Sequence, residues 1–256
     1  MAIGLVIIGD EILSGKRQDK HFARAIEILG ARGLELDWAE YLGDDPARIT
    51  ATLRRTFATD DIVFSFGGIG ATPDDHTRQC AAAALGRPVV RHPEAVKEIE
   101  ARFGADAYPR RVIMAEFPEG ADLVPNPYNR IAGFSVGTHY FLPGFPEMAW
   151  AMMQWALDTK HASLFRDRLP YEEAILVTKA GESDLLDVMN AVVRDYPRLK
   201  LSSLPQFLQD GGRLIELSVR GDEAGVRRAM DFVRAEVAGL GYPFTERPPR
   251  VATTNP

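Results

Sequence analysis

The run Ile3-Gly4-Leu5-Val6-Ile7-Ile8 carries no polar side chain, which predicts a strand covered on both faces. From about Asp19 to Arg32 the apolar residues Phe22, Ile26 and Leu29 recur at helical spacing, and Gly33 stands where a C-terminal cap belongs. Leu34–Leu42 reads as a strand. Pro46 opens a second helix with Ile49, Leu53 and Phe57 on one face. Asp61–Phe66 is a buried strand that ends in Gly67-Gly68, and residues from about Asp75 to Leu85 are helical. This β-α-β-α-β-loop-α order predicts an α/β domain: three layers, a mostly parallel sheet with helices on both faces. Right-handed crossovers place ligands at the carboxyl ends of such strands.

Further on, Pro93–Phe103 is helical, Val112–Glu116 is buried, and Phe134–Leu142 forms a hairpin turning near Gly137. A long amphipathic helix follows, from about Glu147 to the Ala162 region. A linker is expected at Phe165–Pro170. Beyond it the pattern gives strand (Tyr171–Thr178), helix (Glu182–Asp195), strand (Leu199–Leu204), strand (Leu214–Arg220) and helix (Glu223–Gly239). The expected organisation is an α/β domain over 1–165, a smaller α+β domain of βαββα order over 170–244, and a disordered Pro-, Thr- and Arg-containing tail over 245–256.

The 256 residues, 46% of them apolar, supply ample core material, and the formal net charge of −6 comes without a long Lys/Arg run. That argues against nucleic acid as a partner, because phosphate contacts dominate such affinity. Arg54-Arg55, Arg110-Arg111 and Arg227-Arg228 read as solvated charges. The one cysteine, Cys80, lies in an alanine-rich helix and reads as a packed, inert thiol. No stretch approaches the roughly 20 apolar residues of a membrane span. The expected compartment is the cytoplasm, with no membrane partner.

The strongest chemical signal is Gly67-Gly68-Ile69-Gly70-Ala71-Thr72-Pro73-Asp74-Asp75-His76-Thr77. Glycines between a buried strand and a helix let a ligand approach the backbone, and the amides at a helix start favour an anion. Thr72 and Thr77 add hydroxyls. The competing reading is a tight strand-to-helix turn capped by Asp74 or Thr72. The spacing matches neither the dinucleotide fingerprint nor a P-loop. Asp10, Glu11, Asp44, Asp74 and Asp75 all fall at predicted strand ends. Two unit charges 4 Å apart repel by about 4 kcal/mol at an effective dielectric near 20, so carboxylates meeting a phosphate call for a divalent ion such as Mg²⁺.

Three blocks in order resemble the molybdopterin-binding domain family of molybdenum cofactor biosynthesis, and within it the amino-terminal part of the CinA-type (competence/damage-inducible) branch. They are Gly9-Asp10-Glu11-Ile12-Leu13-Ser14-Gly15, the glycine loop just described, and Leu142-Pro143-Gly144-Phe145-Pro146-Glu147-Met148. The resemblance spans roughly Met1–Leu164. It implies binding of molybdopterin or a related phosphorylated nucleotide, with adenylyl transfer or ADP-ribose pyrophosphatase activity among relatives and self-association into a homo-oligomer. Carried over by position, Asp44 and Asp75 are the candidate catalytic acids. Gly67, Gly68, Gly70, Thr72, Asp74, Thr77, Pro143 and Gly144 would hold the ligand, and Asp10, Glu11, Asp44 and Asp75 the metal. A catalytically silent binder or scaffold is the alternative. The chain departs from the pattern at Asp19-Lys20-His21, where Asp-Thr-Asn is usual, at Ala71, and at Asn129–Gly133. His21 reads as a solvated helix-start histidine.

Overall fold

A computed structural model describes residues 1–166, 170–207 and 213–247. In chain order the elements are β1 (Ile3–Ile8), α1 (Asp10–Leu13), α2 (His21–Gly30), β2 (Trp38–Leu42), α3 (Pro46–Phe57), β3 (Ile62–Phe66) and α4 (Thr77–Leu85). Then come β4 (Val89–Arg91), α5 (Pro93–Phe103), β5 (Glu116–Pro118), β6 (Asp122–Val124), β7 (Gly133–Val136), β8 (His139–Leu142) and α6 (Pro146–Lys160). The remainder comprises β9 (Tyr171–Thr178), α7 (Leu186–Asp195), β10 (Lys200–Phe207), β11 (Arg213–Gly221), α8 (Glu223–Gly239) and β12 (Phe244–Arg247). The chain divides into two compact units: one of 1–30 with 34–165, the other of 31–33 with 166–256.

The first unit is built on a sheet of order β2-β1-β3-β8-β7-β6, in which the β2, β1, β3 and β8 neighbours run parallel and the β8-β7-β6 neighbours antiparallel. The period of two along a strand divides its side chains between the layers. Ile3, Leu5 and Ile7 of β1, with Ile62, Phe64 and Phe66 of β3, pack on α2 and α6. Val6, Ile8 and Val63 face the opposite way, against α3, α4 and α5. A strand covered on both faces has no polar positions, as β1 shows. At the amino ends of the strands Asp61 draws three segments together. It accepts hydrogen bonds from the Ala2 amide (2.8 Å) and Trp38 Nε1 (3.1 Å), and its carbonyl accepts from Thr138 Oγ1 (2.7 Å).

The expected hairpin is present as β7 and β8, with Gly137 at φ +58°. Cys80 is buried, and Met152 and Met153 of α6 are fully enclosed. Two strand and helix starts fall later than expected, β2 at Trp38 and α4 at Thr77. The second unit is an antiparallel sheet of order β10-β11-β9-β12 packed on α7 and α8. Glu182–Leu185 forms a 3₁₀ turn before α7. The tail expected from residue 245 is corrected here, because Phe244–Arg247 pairs with β9. Phe244 packs on the core, Glu246 meets Arg234 at 2.8 Å, and Arg247 pairs with Glu216. Residues 248–256 and the middle of the expected linker lie outside the described residues. Among the described residues no helix is long and apolar enough to cross a membrane.

Candidate functional site

The chain leaves β1 for β2 on one side and returns to β3 on the other, so strand order reverses between β1 and β3. Open α/β sheets bind ligands at that crevice, outside the carboxyl ends of the strands. The loops opening there begin at Gly9 and Gly67, and the Leu142-Pro143-Gly144 turn leaves β8 alongside. Gly67 sits at φ +100°, and a Cβ on it would lie 2.3 Å from the Ile8 carbonyl oxygen. Its amide donates to the Leu142 carbonyl at 3.0 Å. Gly68, at φ +69°, leaves room for Thr77 Oγ1, which a Cβ would meet at 2.2 Å. Backbone in that region favours glycine.

Thr77 is fully buried. Its hydroxyl donates to the Gly67 carbonyl (3.0 Å) and its amide to the Gly68 carbonyl (2.9 Å), stapling the loop to α4. Asp75 Oδ2 accepts from the Thr72 amide at 2.8 Å and from the Thr72 hydroxyl, which closes the loop's far side. Neither Asp74 nor Thr72 caps α4. The cap position is His76, and its side chain makes no capping bond. A hydrogen bond from Thr72 also holds the exposed Asp74 carboxyl below its usual range. Between these braces the amides of Gly68, Ile69, Gly70 and Ala71 find no acceptor among the described residues.

Sequence reasoning missed Arg78, which is 1% exposed. Its guanidinium donates to the carbonyls of Gly70, Ile113 and Glu116, tying the glycine loop to the segment before β5. Burial pulls its pKa below the usual arginine value, and the Glu116 and Asp75 carboxylates only partly counter that.

On the other wall Asp10 and Asp44 exchange hydrogen bonds with each other's backbone amides. Gly43 leaves room for this exchange, since a Cβ would fall 2.4 Å from Asp10 Oδ1 and push the carboxylate aside. Burial pushes the Asp44 carboxyl above its usual range, against the pull of the Asp10 amide. The charges of Asp10, Glu11 and Asp74 add to the push.

These walls enclose a cavity of about 380 Å³, within the range of small-molecule sites. Gly67, Gly68, Gly70, Thr72, Asp74, Asp75, Glu11, Asp44, Pro143 and Gly144 all line it. Asp10 and Thr77 do not; both brace its walls from behind. Arg17, Asn126, Asn129 and Phe145 also line it, and the sequence marked none of them as a ligand-binding residue. Asn126 and Asn129 are turn-formers: their side-chain oxygens accept from the amides of Tyr128 (3.0 Å) and Ile131 (2.9 Å).

The acids expected to share a metal do not close a ligand set. Among the described residues no three His, Cys, Asp or Glu side chains come together to hold an ion. Oxygens of Asp10, Asp44 and Asp75 are already taken up by protein donors.

His21 corrects its reading as a solvated residue: it is 5% exposed. Its ring stacks on Phe66 with centroids 4.5 Å apart, and Nε2 lies 3.3 Å from the Gly144 carbonyl oxygen. Burial pulls its pKa down, partly countered by the Gly144 carbonyl and by Asp19. Asp19 instead begins α2, accepting from the amides of His21 (2.8 Å) and Phe22 (3.0 Å). His21 lines a second cavity of about 270 Å³ beside the first.

A mostly parallel α/β sheet whose reversal point carries a glycine loop, with four amides that find no acceptor among the described residues, is the kind of domain in which small ligands are held outside the strand ends. Within that class, the family described as "Probable molybdopterin binding domain" matches residues 4–161, and the chain belongs to it. It is 30% identical over 203 residues to a CinA-like protein of Anaeromyxobacter sp. (strain K), covering 76% of this chain and 49% of that protein. A protein of Pyrobaculum calidifontis is 28% identical over 247 residues, covering 92% and 93% of the two chains. Among solved structures, the CinA protein of Thermoplasma acidophilum matches with a TM-score of 0.56 and 27% identity, over 61% of this chain and 96% of that one. The chain spans about half the length of the CinA-like relatives it matches.

Proposed function

We propose that the first unit binds molybdopterin or a related phosphorylated nucleotide, its phosphate seated on the Gly68–Ala71 amides. One observation carries this reading: four successive amides beside a 380 Å³ cavity find no acceptor among the described residues. Backbone amides away from solvent are rarely left unpaired, and Gly68, Ile69 and Gly70 are buried or half-buried, so a run of free amides lining a cavity supports an anion as the missing partner. Family membership supports the ligand class. Thermal-shift and calorimetric titration with ADP, ADP-ribose and molybdopterin tests it, because a ligand that binds only the folded state raises apparent stability. Absence of any shift or heat with all three defeats the reading.

The raised Asp44 carboxyl favours a second reading, in which the site also turns its ligand over. A carboxyl displaced toward neutrality and lining a ligand cavity is placed to exchange a proton with a hydroxyl attacking phosphorus. The chemistry would be phosphoanhydride hydrolysis or adenylyl transfer. The carboxylates do not fit a resident Mg²⁺ unaided, because no three come together among the described residues and oxygens of Asp10, Asp44 and Asp75 already accept from protein donors. Incubation with ADP-ribose or ATP, with Mg²⁺ and with EDTA, separates turnover from silent binding. Self-association belongs to this proposal as well, and sedimentation equilibrium decides it.

A further inference from the structure

Four acids, Glu11, Asp44, Asp74 and Asp75, line the candidate site, and among the described lining residues there is one cation, Arg17. A phosphate seated on the loop amides therefore meets an acidic wall. The side-chain arrangement gives that wall no ready-made metal site among the described residues. Arg78 is not available to a ligand, because it is buried and its guanidinium serves three carbonyls.

Arg17 is differently placed. It follows α1, and its amide donates to the Glu11 carbonyl at 2.9 Å, which fixes where its side chain starts. Its guanidinium lies 4.0 Å from Glu11 Oε1, and the side chain is 56% exposed. An exposed pair at that distance contributes little, so the guanidinium can change partner at small cost. Arg17 also lines the second cavity, together with Lys20 and His21. It therefore stands at the boundary of the two cavities, with Glu11 as its resting partner.

We propose that Arg17 is the phosphate-binding cation of this site, gripping from the α1 side a phosphate held by the glycine-loop amides, in the role the acids suggested for a metal. The proposal rests on the phosphorylated-ligand reading above. Guanidinium chemistry suits a phosphate, being permanently charged and presenting paired donors that match two phosphate oxygens. Glu11 then acts as a competitor for Arg17 and not as a metal ligand.

Calorimetry with ADP and with inorganic pyrophosphate, in EDTA and in Mg²⁺, tests this on the whole chain. The wild type is expected to bind ADP in EDTA. Arg17→Gln weakens binding roughly tenfold to a hundredfold, the loss of a charged hydrogen bond, and flattens its salt dependence. Arg17→Lys falls between, keeping charge without the fork. Glu11→Gln binds a few-fold more tightly, chiefly because one carboxylate is removed from the wall that faces the phosphate. Wild-type affinity in Arg17→Gln overturns the proposal. So does binding that needs Mg²⁺ and disappears in Glu11→Gln, which returns the acids to a metal role. If the wild type binds neither probe under either condition while ADP-ribose or molybdopterin still raises its melting temperature, the ligand reading stands and this proposal is overturned; if none of the four binds, both fall together.

Discussion

Asp10 and Asp44 hold each other by the backbone: the Asp10 amide donates to Asp44 Oδ2 at 2.9 Å, and the Asp44 amide donates to Asp10 Oδ1 at 3.2 Å. The exchange fastens the loop after β1 to the loop after β2, so two strand tips move as one wall. The same contact keeps two carboxylates close, which is one reason the Asp44 carboxyl is raised, after burial. Asp44→Ala removes an acceptor and is expected to cost about 1–2 kcal/mol, read as a lower denaturant midpoint, and to weaken ADP binding. Asp44→Asn keeps an acceptor oxygen and removes the charge. It should hold its stability, bind ADP at least as tightly as the wild type, and lose any turnover. Equal behaviour of the two variants would show that the carboxyl's position does not matter.

Asp75 closes the glycine loop through Thr72, and the notion that it serves chemistry alone does not account for that bond. Asp75→Ala opens the loop and should weaken ADP binding about tenfold, with little change in the helical circular dichroism, because α4 is anchored by Thr77 instead. Asp75→Asn can still accept from Thr72. It should retain binding within a few-fold, while cleavage of ADP-ribose to AMP and ribose 5-phosphate, if the wild type shows it, is lost. An Asn variant that forms AMP at the wild-type rate removes Asp75 from the reaction.

Gly67 and Gly144 face one another, yet they answer to different constraints. Gly67 has a positive φ and no space for a Cβ beside Ile8, whereas a Cβ on Gly144 meets only the Gly67 Cα, at an ordinary 3.6 Å. Gly67→Ala is expected to cost on the order of 3 kcal/mol from backbone strain and overpacking. Gly144→Ala should melt within about 0.5 kcal/mol of the wild type while its added methyl narrows the cavity and reduces ADP affinity. Thermal melts paired with calorimetry separate the two outcomes; a destabilised Gly144→Ala or a tolerant Gly67→Ala contradicts the geometry.

Local chemistry wrote the parts of this architecture that the sequence displays. An unbroken apolar run means a strand covered on both faces, and a glycine pair at its end means backbone that side chains cannot follow, so β1, β3 and the Gly67 loop are visible in the letters. His21 was hidden because its burial depends on Phe66 and Gly144, which are remote in sequence and adjacent only once β3 and β8 pair. Arg78 was hidden for a like reason: its three carbonyl partners come from two separate segments. Arg17 sits in a polar stretch where one charged residue looks like the next, and only the cavity singles it out. The β12 strand was missed because four residues of mixed polarity owe their place to pairing with β9, not to their own pattern.

His139 carries a pH dependence that reports on the fold and not on the ligand site. It is 2% exposed, its ring lies 4.2 Å from that of Phe57, and its Nε2 has no hydrogen-bond partner among the described residues. Burial pulls its pKa from 6.5 down to about 4, and the nearby Asp61 charge only partly resists. Above pH 6.5 the folded and unfolded chains both carry a neutral ring, and the group has no effect on stability. As pH falls from 6.5 toward 4 the unfolded chain takes up a proton that the folded chain refuses, so stability falls with acidification. At 1.36 kcal/mol per pKa unit the loss approaches about 3 kcal/mol by pH 4. His21 and His161, whose pKa values burial also lowers, push in the same direction, so the measurement is a difference between proteins. Urea unfolding of wild type and His139→Phe from pH 7.5 to pH 4.5 should give curves that converge toward neutrality in shape and separate in acid, the variant losing less. Parallel curves across that window would mean His139 is not held neutral in the folded chain.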